Sequence, residues 1–109
     1  MSQTLVVLST VSSPAEAKKI ARILVTEKLA ACVNIFPKIE SHYWWKGKIA
    51  IGREVLILIK TRRSSFKRLA HRVRQIHSYD VPELIALPVA LGWKPYLDWI
   101  ATSMKRPRP

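Results

Sequence analysis

The sequence predicts an α+β fold, an antiparallel sheet with helices on one face, built in the order βαββαβ and followed by a C-terminal helix. Three observations lead there. Short β-branched apolar runs alternate with stretches whose apolar residues recur at helical spacing. Two of these runs flank Lys46-Gly47-Lys48 and read as one long hairpin. The chain has 109 residues, the size of one domain around one core. That domain is expected over residues 1–104, with 105–109 as a frayed, basic, proline-rich tail.

The first strand is Thr4–Leu8, closing on Ser9-Thr10, a nearly continuous apolar run of the kind buried on both faces. Ser13-Pro14-Ala15-Glu16 then supplies an N-cap serine, a proline at the first helical position and a glutamate three residues after the cap. Ala17, Ile20, Ala21 and Leu24 form the inward stripe of that helix, which should end near Lys28. The first arm of the hairpin runs through Cys32–Phe36 and Ile39–Trp45. Between them Pro37, with no N–H to donate, predicts a bend or bulge lying against an edge. The second arm, Ile49–Lys60, contains Val55–Ile59, apolar on both parities and so expected as a central strand covered on both sides.

Ser64 or Ser65 is expected to cap a second helix with Phe66, Leu69, Ala70, Val73 and Ile76 facing inward. Leu84–Val89 reads as the last strand, with Pro88 at its end or on an edge. Gly92 turns the chain, Pro95 opens a third helix at its first position, and Tyr96, Leu97 and Ile100 pack it back. Helices on one face leave the other face of the sheet bare. The hairpin also carries Ile39, Tyr43, Trp44, Trp45, Ile49 and Ile51, more apolar surface than one helical layer hides. A patch of that size marks a subunit interface, so self-association is expected.

Composition excludes several classes. Hydrophobic residues at 49% and charged residues at 24% rule out a disordered chain. Every long apolar run is cut by a charge or a proline, so none reaches the length of a bilayer span. No Lys or Arg precedes Leu5–Leu8, which argues against an export signal, and the single Cys32 allows no intrachain disulfide. The expected location is the cytoplasm. Nineteen Lys and Arg against seven Asp and Glu give a net charge of +12, which either attracts polyanions or simply solvates a basic face. A nucleic-acid interface, the alternative function, would use Arg62, Arg63, Lys67, Arg68, Arg72 and Arg74.

Motifs for catalysis are missing. With three glycines there is no phosphate-cradling loop, and no nucleophile elbow occurs, so the chain is read as a non-enzyme. His42, His71, His77 and Cys32 show no His-x-x-x-His or Cys-x-x-Cys spacing, and Cys32 between Ala31 and Val33 reads as a small buried hydrophobe. His77 differs because it ends a helix and opens His77-Ser78-Tyr79-Asp80-Val81-Pro82-Glu83, a loop dense in polar and aromatic groups. Glu54 and Lys60 share parity at opposite ends of their strand, too far apart to touch. An RNA-recognition module has the same element order, but Val55–Ile59 is aliphatic where its stacking aromatics would stand.

Several blocks, in order, carry a resemblance: Leu5-Val6-Val7-Leu8-Ser9-Thr10, Ala30-Ala31-Cys32-Val33-Asn34, Tyr43-Trp44-Trp45-Lys46-Gly47-Lys48, Glu54–Thr61, Tyr79-Asp80-Val81-Pro82-Glu83 and Tyr96-Leu97-Asp98-Trp99-Ile100. Together they resemble the CutA family of divalent-cation-tolerance proteins over nearly the whole chain. The resemblance implies a ferredoxin-like subunit in a homotrimer, much like the signalling protein PII, with hairpin strands extending sheets between neighbours. It implies clefts between subunits lined by Trp44, Glu54, Lys60, His77, Tyr79, Glu83 and Trp99. It also implies tolerance of copper and other divalent ions, with Cu(II) held in some members by a first-strand cysteine and a His-His pair. Here Ser9 stands at the cysteine position and Ile76-His77 replaces the pair, so His77 alone carries over as a metal ligand.

The expectation is therefore a trimer that binds a divalent cation, or a small anion drawn by Lys60, at clefts around His77 and Glu83, with no cofactor required. A PII-like small-molecule sensor and a structural trimer remain as further readings.

Overall fold

A computed structural model describes residues 3–106, so the expected tail is described only as far as Arg106. Strand β1 is Thr4–Val11, helix α1 Pro14–Thr26, strands β2 and β3 Cys32–Trp45 and Lys48–Arg62, helix α2 Phe66–Ile76, strand β4 Ile85–Pro88 and helix α3 Lys94–Ser103. The strands form one sheet in the order β2-β3-β1-β4, every pair antiparallel. This is the βαββαβ order with α3 appended.

One face of the sheet builds the core. Leu5, Val7 and Val11 of β1 and Val55, Ile57 and Ile59 of β3 pack against Ala17, Ile20 and Leu24 of α1 and Leu69 and Val73 of α2. Alternation decides the rest: because side chains switch faces at each residue, Val6, Leu8, Leu56 and Leu58 point to the face opposite α1 and α2 and are only half-buried. The continuous apolar runs of β1 and β3 led to an expectation of cover on both sides. Within one chain α1 and α2 supply that cover on one side, and on the other only α3 does, at the end where Tyr96 meets Lys60.

The local chemistry follows the sequence closely at α1. Ser13 Oγ accepts the Glu16 N–H at 3.1 Å, and Pro14 occupies the first turn. The helix ends at Thr26 without a glycine, and Lys28 takes the left-handed conformation (φ 62°) that closes it. The other helix starts depart from expectation. A 3₁₀ turn, Arg63–Ser65, leads into α2, and Ser65 makes no capping bond because its backbone is already helical; its Oγ accepts from Arg68 instead. Helix α3 begins at Lys94, so Pro95 sits one position later than expected.

The hairpin turn is a two-residue one, Lys46-Gly47, both with positive φ (49° and 75°), which matches the twist of the arms it joins. The β2–β3 register breaks between Phe36 and Ile39, the bulge that Pro37 implies, and β2 is an edge strand. Pro88 closes β4 on the opposite edge. Beyond the bulge, the pairs from Ile39↔Glu54 to Trp45↔Lys48 have no other strand beside them, because β1 stops at Val11 opposite Val55. The arms project as a two-stranded ribbon. On it Trp44 is 73% exposed, Trp45 61%, and Ile49 and Ile51 64% each, so the chain does not tuck them under its own backbone.

Ile57, fully buried between sheet and helices, tests where the core lies. Ile57→Ala is expected to lower the unfolding free energy by about 2–5 kcal/mol in denaturant titration. A loss within the range of surface substitutions would contradict this core.

Candidate ligand site

The His77–Glu83 loop lies at the end of the sheet where β1 stops and the ribbon begins. His77 has a side chain with no solvent exposure. Its Nε2 donates to the Thr10 carbonyl at 2.8 Å, and its Nδ1 accepts the Tyr79 N–H at 3.0 Å, which assigns the Nε2–H tautomer. The ring therefore uses both nitrogens inside the chain and offers no lone pair to an ion in this arrangement. What it does instead is fix Tyr79, whose ring lies 4.8 Å from the imidazole and whose hydroxyl donates to Glu54 Oε2 at 2.9 Å.

Glu16 is a member of this cluster that the sequence reading missed. Beyond its place three residues after the cap, its carboxylate takes Ser12 N–H and Oγ–H at 3.2 and 2.7 Å and Ser78 N–H and Oγ–H at 2.8 and 3.0 Å. One residue thus joins the start of α1 to the loop. Burial pushes its carboxyl up, but the bonds from Ser12 and Ser78 outweigh that and hold it below the usual glutamate value. A serine one residue before the cap was the available signal, and sequence alone could not place Ser78 beside it.

Beside the cluster, the bulge opens a groove lined by Ser12, Pro14, Pro37, Ile39, Arg53 and Glu54. The other expected site residues lie elsewhere. Lys60 stands at the far end of β3, six residues from Glu54 and so about 20 Å away. Its ammonium sits 5.4 Å from the Tyr96 ring, and Tyr96 stacks on Trp99 at 5.5 Å. Contact with Tyr96 raises the Lys60 ammonium above the usual lysine value, so it stays charged. Trp44 is out on the ribbon and Glu83 half-exposed in the loop. A single chain therefore brings together Glu54, His77 and Tyr79 in one place and Lys60 and Trp99 in another. Among the described residues no three His, Cys, Asp or Glu side chains converge as a metal cluster. Ser9 at the expected cysteine position is fully buried, and its Oγ has no hydrogen-bond partner. These residues do not fit a copper site within one chain.

The expected nucleic-acid residues also separate. Arg72 is committed to Glu27 through Nε and Nη2, at 2.9–3.2 Å. Arg62 borders a groove with Asp98 at the other end of the sheet, whereas Lys67, Arg68 and Arg74 lie along α2.

Burial, and then the Glu54 carboxylate, push the Tyr79 phenol up to about 12, against 10.0 unperturbed. The native state holds this proton more tightly than the unfolded chain. The resulting stabilisation is complete below about pH 10 and is lost as pH rises toward about 12. Ultraviolet titration of the phenols is expected to show this late tyrosine, and Glu54→Gln to lower its midpoint in part, because burial remains. A Tyr79 that titrates at the ordinary value would remove the Glu54 bond.

Comparison with known proteins places the fold in a family. Residues 5–103 match the family described as CutA1 divalent ion tolerance protein. A divalent-cation tolerance protein CutA of Thermus thermophilus is 50% identical over 95 residues, covering 87% of this chain and 92% of the relative. A chloroplastic CutA 1 of Oryza sativa is 47% identical over 94% of this chain, which spans only 58% of that relative's length. The crystal structure of CutA1 from Oryza sativa superposes with a TM-score of 0.92 at 45% identity, covering 97% of each chain. A CutA from Archaeoglobus fulgidus described as periplasmic gives 0.91 at 40% identity, covering 94% and 99%. With one family matched across the sheet, all three helices and the His77–Glu83 loop, this chain belongs to the CutA1 divalent ion tolerance protein family.

Proposed function

We propose that this protein serves divalent-cation tolerance as a homotrimer, acting by binding at the seams between copies and not by catalysis. The observation that carries the reading is the ribbon: Trp44, Trp45, Ile49 and Ile51 stand exposed on two strands that no third strand supports. Copies that pair along the ribbon would cover these side chains and the open sheet face bearing Phe36, Ile85 and Leu87. Such seams would bring Trp44 and Glu83 of one copy toward the Glu54–Tyr79 pair or the Lys60–Trp99 pair of another. His77 then acts as a positioning residue for Tyr79. A divalent cation in such a seam would need oxygen ligands from more than one copy, and a small anion would find the charged Lys60. A cytoplasmic site of action belongs to the same proposal; among the described residues no helix is long and apolar enough to cross a membrane.

Light scattering of the full chain is expected to give three times the 12.5 kDa subunit mass, and Ile49→Lys with Ile51→Lys to reduce it. A monomer at micromolar concentration would end the proposal. Calorimetry of metal-free protein with Cu(II) and Zn(II) addresses the ligand. Because both ring nitrogens of His77 are occupied, His77→Ala is expected to leave any saturable metal binding intact while lowering the melting temperature. Abolished binding in a folded His77→Ala variant would return the imidazole to the role of ligand.

A further inference from the structure

The helical face, which the proposed seams do not use, carries its own signal. Lys18, Lys19 and Arg22 are exposed on α1 and Lys67, Arg68 and Arg74 on α2. The two helices cover the same face of the sheet and are tied together by the Arg72–Glu27 pair, so these six cations share one surface. Only two carboxylates belong to this layer, and both are engaged, Glu27 by Arg72 and Glu16 by Ser12 and Ser78. The remaining acidic residues lie on the hairpin, in the 77–84 loop and on α3. Among the described residues none of the six cations has a carboxylate within salt-bridge distance. At one end of the face Arg106 joins Lys67, Arg68 and Arg72 around a shallow hollow.

We infer that this face is a docking surface for duplex DNA, gripped through its phosphates without reading sequence. Charge complementarity is the first argument: a row of unpaired cations neutralises phosphates and releases their counterions. The second is what the face lacks. It presents no Phe, Tyr or Trp as an exposed stacking platform, which single strands require. Val25 is its one exposed large apolar residue among the described ones, too little to insert into a lipid surface. Among duplexes, the wide major groove of B-form DNA admits a basic helix such as α2, while the deep, narrow groove of A-form RNA does not. The inference does not depend on the proposed seam ligand, because the two occupy different surfaces.

The test is fluorescence anisotropy of a labelled, mixed-sequence DNA duplex of about 20 base pairs titrated with the full chain. Binding with a dissociation constant of about 1–100 µM near physiological salt is expected, weakening about tenfold or more between about 50 and 200 mM. Lys19→Gln, Lys67→Gln and Arg74→Gln together should weaken it about tenfold, and Lys19→Arg, Lys67→Arg and Arg74→Lys should retain it. Lys38→Gln, Lys46→Gln and Lys48→Gln, which remove the same charge from the hairpin, should change it less than about twofold. Circular dichroism confirms that each variant is folded. Equal losses in the two glutamine variants, salt-insensitive binding, or tighter binding to duplex RNA or to phosphatidylserine vesicles would each overturn the inference.

Discussion

The length mismatch between β1 and its neighbour β3 is the constraint from which most of this structure follows. β1 ends at Val11, opposite Val55, while β3 begins at Lys48 and pairs over Lys48–Glu54 with β2 alone. Two strands without a third layer hold together poorly in water, because backbone bonds exposed on both sides compete with solvent and no side chain is buried. Yet these strands carry tryptophans and isoleucines. Within the described residues nothing covers that apolar surface, and the relatives the chain matches share the fold over nearly their whole solved length.

The same boundary creates the candidate site. The bulge at Pro37 and the end of β1 open a groove in the sheet, and the 77–84 loop lies beside it. Glu16 anchors the loop to α1, His77 anchors it to the last turn of β1 through Thr10, and Tyr79 reaches Glu54 at the ribbon's base. These bonds are charge-assisted or shielded from water, and so stronger than exposed ones. The loop is thus held by three polar anchors at the junction between a rigid body and a ribbon available to neighbours.

Charge is distributed with equal economy. The excess of Lys and Arg leaves few carboxylates, and those on the helical layer are already bound to specific donors. The helical face stays strongly positive, while Val6, Leu8, Phe36, Leu56, Ile85 and Leu87 make the middle of the opposite face apolar. The chain is thus apolar on one side and cationic on the other, and salt screens the repulsion among the exposed cations.

Elements were legible where a local rule dictates conformation. Ser13-Pro14 places a helix start, Lys46-Gly47 a two-residue turn, Pro37 a bulge, and the spacing of Ala17, Ile20 and Leu24 a buried stripe. Each depends on neighbours a few residues away, and so each is written in the chain. Ser65 misled because a 3₁₀ turn had already made its backbone helical, a matter of how β3 enters α2. The site was less legible. Its residue types could be named, and the blocks they stand in pointed to the family, but which of them meet depended on packing between elements remote in sequence. Glu16 reaches Ser78 across 62 residues, and His77 spends its two ring nitrogens on Thr10 and Tyr79, bonds that no local pattern announces. Sequence by itself determined the order of elements, the turn chemistry and the direction of the charge, because these are local or additive. Only the tertiary structure decided which polar groups satisfy one another and which apolar ones remain uncovered, because a hydrogen bond or a buried contact exists only once two distant segments occupy the same space.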